Sequence, residues 1–254
     1  MNSLKNEVHV TGRYFLTLLL ISVSIFACNT SEKELSNQVS TVIKLDDLKI
    51  IMGETPELLG QPVLVVEDGI TGVRFNGIND GIVLHNNPLK DYDVFTIQVL
   101  FKPDFDGRKE QRFIHFQDSL SNRVLIETRL NDNNSWYFDT FLYQHEPNSR
   151  LTLIDDQKNH PTDRWYWVAL SYDGEIMRHF VNGVEELSGE VSFGPMGPGK
   201  MSIGVRLNNV HWFKGVISEI HIENRALSIS ELKLHMESSY LGYHNAEGLG
   251  FDTF

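Results

Sequence analysis

The sequence predicts an all-β fold, a sandwich of two antiparallel sheets with one short C-terminal helix. Three observations carry this. Short apolar runs recur through the middle of the 254-residue chain. The segments between them hold tight-turn pairs such as Asp173-Gly174 and Asn182-Gly183. No sustained helical period interrupts the body, so the crossover helices of a parallel sheet are missing.

The elements follow in chain order. Residues 1–27 read as an export signal: Lys5 and Arg13 flank an apolar stretch over 14–27, shorter than the ~20 apolar residues that span a bilayer. The only cysteine, Cys28, comes next, behind the small residue Ala27. This ending resembles the lipobox of bacterial lipoproteins. The resemblance implies lipidation of Cys28 and an acyl anchor in the membrane. Asn29 stands where an inner-membrane retention signal has Asp, which points to the outer membrane and the cell surface. With no further cysteine, disulfides are excluded and stability rests on the core. Residues 28–45 are expected to be a tether, because 29–41 are polar without hydrophobic period.

Residues 46–240 are expected to form one domain. Its strands are read at 63–66, 73–75, 82–84, 94–101, 113–116, 124–129, 136–143, 151–154, 165–172, 177–181, 201–205 and 216–222. In the run 165–172 both period-2 faces are apolar, so this strand is expected to be central and covered on both sides. Ser228-Ile229-Ser230-Glu231 is a capping box, with Leu227 and Leu232 at the spacing of a hydrophobic staple. The helix it opens is read to about Glu237, and 241–254 is read as a tail.

Three ordered segments resemble laminin G-like, concanavalin A-like jelly-roll domains. They are "VRFNGINDGIVL" at 73–84, the Trp-strand-Asp-Gly-strand-Asn-Gly hairpin at 165–183, and "FKGVISEIHIENRALSISELK" at 213–233. The resemblance implies a jelly-roll sandwich, with Trp165 in the usual core position and Trp167 replacing a residue that is commonly polar. It does not imply one activity, because this fold carries lectins, glycanases and interaction modules alike.

The formal charge of −12 argues against nucleic acid as a partner. It also disfavours strongly anionic polymers unless a local basic cluster overrides the net value.

Two enzymatic arrangements are conceivable. Glu219, His221 and Glu223 alternate with Ile220 and Ile222, so the three polar side chains share one strand face. Related jelly-roll glucanases carry Glu-x-Asp-x-Glu on one strand, and retaining hydrolysis needs carboxylates ~5–5.5 Å apart. Here the central Asp is missing, and the same segment matches the closing strand of noncatalytic members. A lyase would combine Glu219-Ile220-His221 with Glu127-x-Arg129 and with Tyr137-Phe138 and Tyr143-Gln144. The strand order differs from that of alginate-type lyases, and Glu219 replaces a Gln.

No cofactor is required. Calcium is the one candidate ion, at Asn79 and Asp80 where the family carries an early acidic pair, although Ser218 stands where a second acidic ligand is common.

Glycan binding needs an aromatic platform for the apolar sugar face and planar polar groups for its hydroxyls. Trp136, Tyr143 and Trp212 are the candidate platforms, with His115, Gln117, Glu127 and Arg129 as polar partners. Trp212 is expected in an exposed loop, behind Asn208 and Asn209. The reading is a surface lipoprotein whose jelly-roll module binds polysaccharide. Its alternatives are a polysaccharide-degrading enzyme and a noncatalytic protein-interaction module.

Overall fold

The computed structural model describes residues 40–244. The chain begins with β1 (Ser40–Lys44), β2 (Glu57–Leu59), β3 (Val63–Glu67), β4 (Ile70–Asn76), β5 (Gly81–Leu84) and β6 (Phe95–Pro103). Next come β7 (Glu110–Asp118), β8 (Arg123–Leu130), β9 (Ser135–Gln144), β10 (Ser149–Ile154) and β11 (His160–Pro161). The last strands are β12 (Tyr166–Tyr172), β13 (Ile176–Val181), β14 (Val184–Glu190), β15 (Gly199–Ile203) and β16 (Lys214–Glu223), followed by helix α1 (Ile229–His244).

Two antiparallel sheets form a concanavalin A-like jelly roll. One has the order β14-β13-β12-β6-β16-β4-β3, with β1 also paired to β16; we call it the helix sheet. The other has the order β10-β9-β8-β7-β15-β5-β2, with β11 paired to β9; we call it the open sheet.

Alternation places one side of each strand in a shared apolar interior. Phe101 of the helix sheet stacks on Phe113 of the open sheet, with ring centroids 4.6 Å apart. Trp136 meets Phe101 edge-on at 5.2 Å, and Phe213 closes the same layer at 5.4 Å from Phe113. All four are fully buried.

The strand at β12 is central, as its two apolar faces predict. Tyr166, Val168, Leu170 and Tyr172 point into the main core. Ala169 points outward and is covered by a smaller cluster with Phe180, Leu227 and Leu232. The core position expected for Trp165 belongs instead to Tyr166. Trp165 precedes the strand, is half-buried, and donates its indole N–H to Asp68 at 3.2 Å.

Two boundaries differ from the sequence reading. Residues 40–44, expected in the tether, form a strand paired from Ser40↔Glu223 to Lys44↔Glu219. Ile43 of the strand and Leu45 just after it are buried. Space for β1 arises at a bulge in β16, between Ile217 and Glu219. Below it β16 pairs with β4, above it with β1, and Ser218 joins them by donating to Thr71 O and accepting from Leu45 N. The helix starts as its capping box predicts: Ser228 N donates to Glu231 Oε2 at 2.8 Å, and Glu231 N to Ser228 Oγ at 3.4 Å. It continues to His244, past 237 and into the expected tail. Ser238, Ser239 and Gly242 are weak helix formers, but propensities this small do not end a helix already nucleated.

Candidate functional site

The outer face of the open sheet is an ordered grid of side chains. Strand register fixes its rows. Gln117, Arg123 and Tyr143 form one row. His115, Leu125, Phe141 and Thr152 form the next. Arg112, Glu127 and Asp139 form a third. Glu110, Arg129 and Tyr137 form the last. A depression of about 250 Å³ opens over the middle rows, and Arg206 borders it from the loop after β15. A second depression of about 640 Å³ continues over β15, β5 and β2, bordered by His85, Gln117, Lys200 and Asn208.

Charge is unusually deep here. Glu127 is 3% exposed and Asp139 1%. Arg112 Nε donates to Glu127 at 3.0 Å, and Arg129 Nε to Asp139 at 2.7 Å. Arg129 also reaches Glu110 at 2.6 Å. Burial, and then the Asp139 charge, push the Glu127 carboxyl up to about 7. Burial raises Asp139 as well, against the pull of Arg129. Both carboxyl groups are thus shifted toward their protonated forms.

Next to these charges lie two aromatic rings. Phe141 and Tyr143 alternate on β9, so both project from the outer face. Their planes are 6° apart with centroids at 6.3 Å, and the Arg123 guanidinium lies over the Tyr143 ring at 4.5 Å.

Gln117, Glu127, Arg129, Tyr143 and His115 thus share one sheet face, and the sequence-based polar set converges. His115 is 1% exposed, so it lies under the face and not on it. Trp136 requires correction. It sits on the opposite side of β9, fully buried, and is unavailable as a sugar platform. The period-2 rule puts it with Phe138 and Leu142, on the core side. Trp212 is half-buried in the loop before β16, with its ring beside Gly81 of β5.

Glu219, His221 and Glu223 do share the outer face of β16, but in the helix sheet. His221 Nε2 bonds Glu219 at 2.7 Å and packs against Trp167 at 5.1 Å and His235 of α1 at 5.9 Å. The helix covers this face. The proposed lyase set is not assembled, because Glu219 and His221 lie on one sheet and Glu127 and Arg129 on the other. Asp80 accepts the amides of Gln61 at 2.8 Å and Asn76 at 3.1 Å, while Asn79 Oδ1 accepts from Asn76 Nδ2. These oxygens close the turn. Among the described residues no group of three or more His, Cys, Asp or Glu side chains could hold a metal ion.

Sequence reasoning missed Arg112, Arg123 and Arg206. Arg123 keeps period 2 with Glu127 and Arg129 and was legible. Arg112 was not: strict alternation from His115 turns it inward, and only the bulge between Arg112 and Ile114 turns it out. Arg206 arrives from a loop, through tertiary structure alone.

The fold and this face define a jelly-roll sandwich with one helix-covered sheet and one polar, pocketed sheet. The chain belongs to the concanavalin A-like lectin/glucanases superfamily, whose family model matches residues 76–233. No curated protein matches it. Among solved structures it is similar to domain 4 of AbnA, a GH43 extracellular arabinanase from Geobacillus stearothermophilus, in complex with arabinotriose. The identity is 19% and the TM-score 0.58, over 76% of this chain and 95% of that one. It is also similar to the receptor binding domain of botulinum neurotoxin C/D mosaic serotype, at 14% identity and TM-score 0.61, over 80% of this chain. The chain spans 52% of that toxin domain. The botulinum neurotoxin D receptor binding domain matches at 15% identity and TM-score 0.58, over 80% of this chain and 53% of that one. At these identities the likeness establishes the fold.

Proposed function

We propose that this protein binds polysaccharide through the outer face of the open sheet. The observation that carries this reading is the near-parallel pair Phe141 and Tyr143 beside a polar depression. Apolar ring faces suit the C–H side of a sugar, and the adjacent guanidinium and carboxyl groups suit its hydroxyls. The arabinanase domain crystallised with arabinotriose shows that this fold can hold a sugar, and so supports the reading. Phe141→Ala and Tyr143→Ala are each expected to weaken binding of the recognised glycan about tenfold, a difference of about 1.4 kcal/mol. Affinity electrophoresis against a polysaccharide panel measures this. If both variants bind as the parent does, the face is not the site. Release of reducing ends or unsaturated products would make the face catalytic instead.

The lipid anchor belongs to the same proposal. Cys28 lies outside the described residues. Its acylation would hold the module at the outer membrane, each buried methylene contributing about 0.8 kcal/mol. Palmitate labelling of the protein in a bacterial host is expected to disappear in Cys28→Ser. Labelling that persists in this variant would rule the anchor out.

A further inference from the structure

Positive and negative groups on the open sheet do not balance locally. Arg112 is answered by Glu127, and Arg129 by Asp139. Arg123 and Arg206 have no carboxylate within ion-pair distance among the described residues. The Arg123 Nε is buried without a hydrogen-bond partner. Arg206 is held below the usual arginine range by burial and then by the charges of Arg112 and Arg123.

His115 supplies an independent observation. Its Nδ1 accepts the Leu207 amide at 3.0 Å. The proton of the neutral ring is therefore on Nε2, which is buried and has no partner. Burial, followed by Arg206, Arg123 and Arg112, lowers the pKa of this ring to about 3, so it is neutral at physiological pH. An orphaned buried donor and crowded like charges both disfavour the fold.

We propose that Arg123 and Arg206, which both border the depression above the buried His115, form a seat for an anionic substituent, a carboxylate or a sulfate ester, on the bound polysaccharide. This rests on the glycan-binding reading and specifies its ligand class. One carboxylate or sulfate ester has enough acceptor lone pairs for both guanidinium forks. Because Arg123 lies over Tyr143, the seat adjoins the aromatic platform, and a single acidic sugar residue would contact both. The overall charge of −12 repels polyanions at long range. Recognition through this seat is therefore local, and selective for a polymer whose sugar ring also fits the platform.

The test is a binding panel on the full chain, by affinity electrophoresis and calorimetry. Its arms are carboxylated polymers (polygalacturonate, alginate, hyaluronate), sulfated polymers (dextran sulfate, carrageenan) and neutral polymers (dextran, arabinan). An acidic polymer is expected to bind at least tenfold more tightly than any neutral one, and the arm that binds identifies carboxylate or sulfate. Arg123→Gln/Arg206→Gln is expected to lose at least tenfold on that polymer with only a small change in thermal midpoint, because neither arginine makes an ion pair and the Arg123–Tyr143 contact is the one packing interaction removed. Should the double variant fail to fold, Arg206→Gln alone, in a loop, is expected to lose several-fold. Neutral polymers binding as tightly as acidic ones, or acidic binding unchanged in the variants, would overturn the seat while leaving glycan binding intact. No binding in any arm would overturn both.

Discussion

Trp136→Ala is expected to destabilise the fold by about 3–5 kcal/mol, the usual range for truncating a large buried aromatic. Trp136 is fully buried and touches rings from both sheets. Centroids of Phe101, Tyr166 and His160 lie at 5.2, 5.1 and 4.9 Å, and that of Phe138 at 6.2 Å. Alanine would leave a cavity bordered by rigid rings, which relax little, so the cavity contribution adds to the lost transfer energy. In a domain of this size the thermal midpoint should fall by about 10 °C. Trp136→Phe should cost clearly less, since it retains most of the ring contacts. Urea denaturation of the three proteins measures this. A Trp136→Ala protein as stable as the parent, but deficient in glycan binding, would return this residue to the surface role that its sequence context suggested.

Arg129→Met is expected to cost about 3–5 kcal/mol at pH 8, because it strands buried carboxylates. Asp139 would lose its closest cation, and its Oδ1 is already without a hydrogen-bond partner. Glu127 would keep Arg112 but lose the Arg129 contact at 3.6 Å. The penalty has a definite pH dependence. Glu127 and Asp139 have folded-state pKa values above those of the unfolded chain, with burial as the largest cause. Their stability contribution is therefore fully present below the unfolded values. It is lost as pH rises through the folded ones. Removing Arg129 raises the folded values further. The deficit of Arg129→Met should thus be small near pH 4 and grow through pH 7. The double variant Arg129→Met/Asp139→Leu should recover much of the loss, since removing both partners leaves no stranded charge. A pH-independent deficit would show that Arg129 acts through packing alone.

Much of this architecture is legible in local chemistry. Ile220 and Ile222 face in and Glu219, His221 and Glu223 face out, as period 2 requires. Ser228 and Glu231 start the helix where their spacing says. Gln117, Glu127, Arg129 and Tyr143 could be placed on one face by counting residues along β7, β8 and β9. The same count, followed strictly, puts Trp136 on the core side. Its appeal as a sugar platform came from residue type, and position overrules type.

Other features were decided between segments far apart in the chain. Alternation distinguishes the two faces of a strand, but it does not say what each face meets. The outward side chains of β16 are polar, and those of β8 are largely so. Helix α1 covers the first set, and the second stays open beneath Arg206. One bulge turns Arg112 outward and another lets β1 join β16, each breaking the period on which the sequence reading depends. Sequence alone determined the class of fold, the turns and the inward set of side chains, because these follow from local periodicity. Tertiary structure decided which polar face became a site. Only there do register, bulges and a distant loop bring four arginines, a neutral histidine and two buried carboxyl groups within reach of one another.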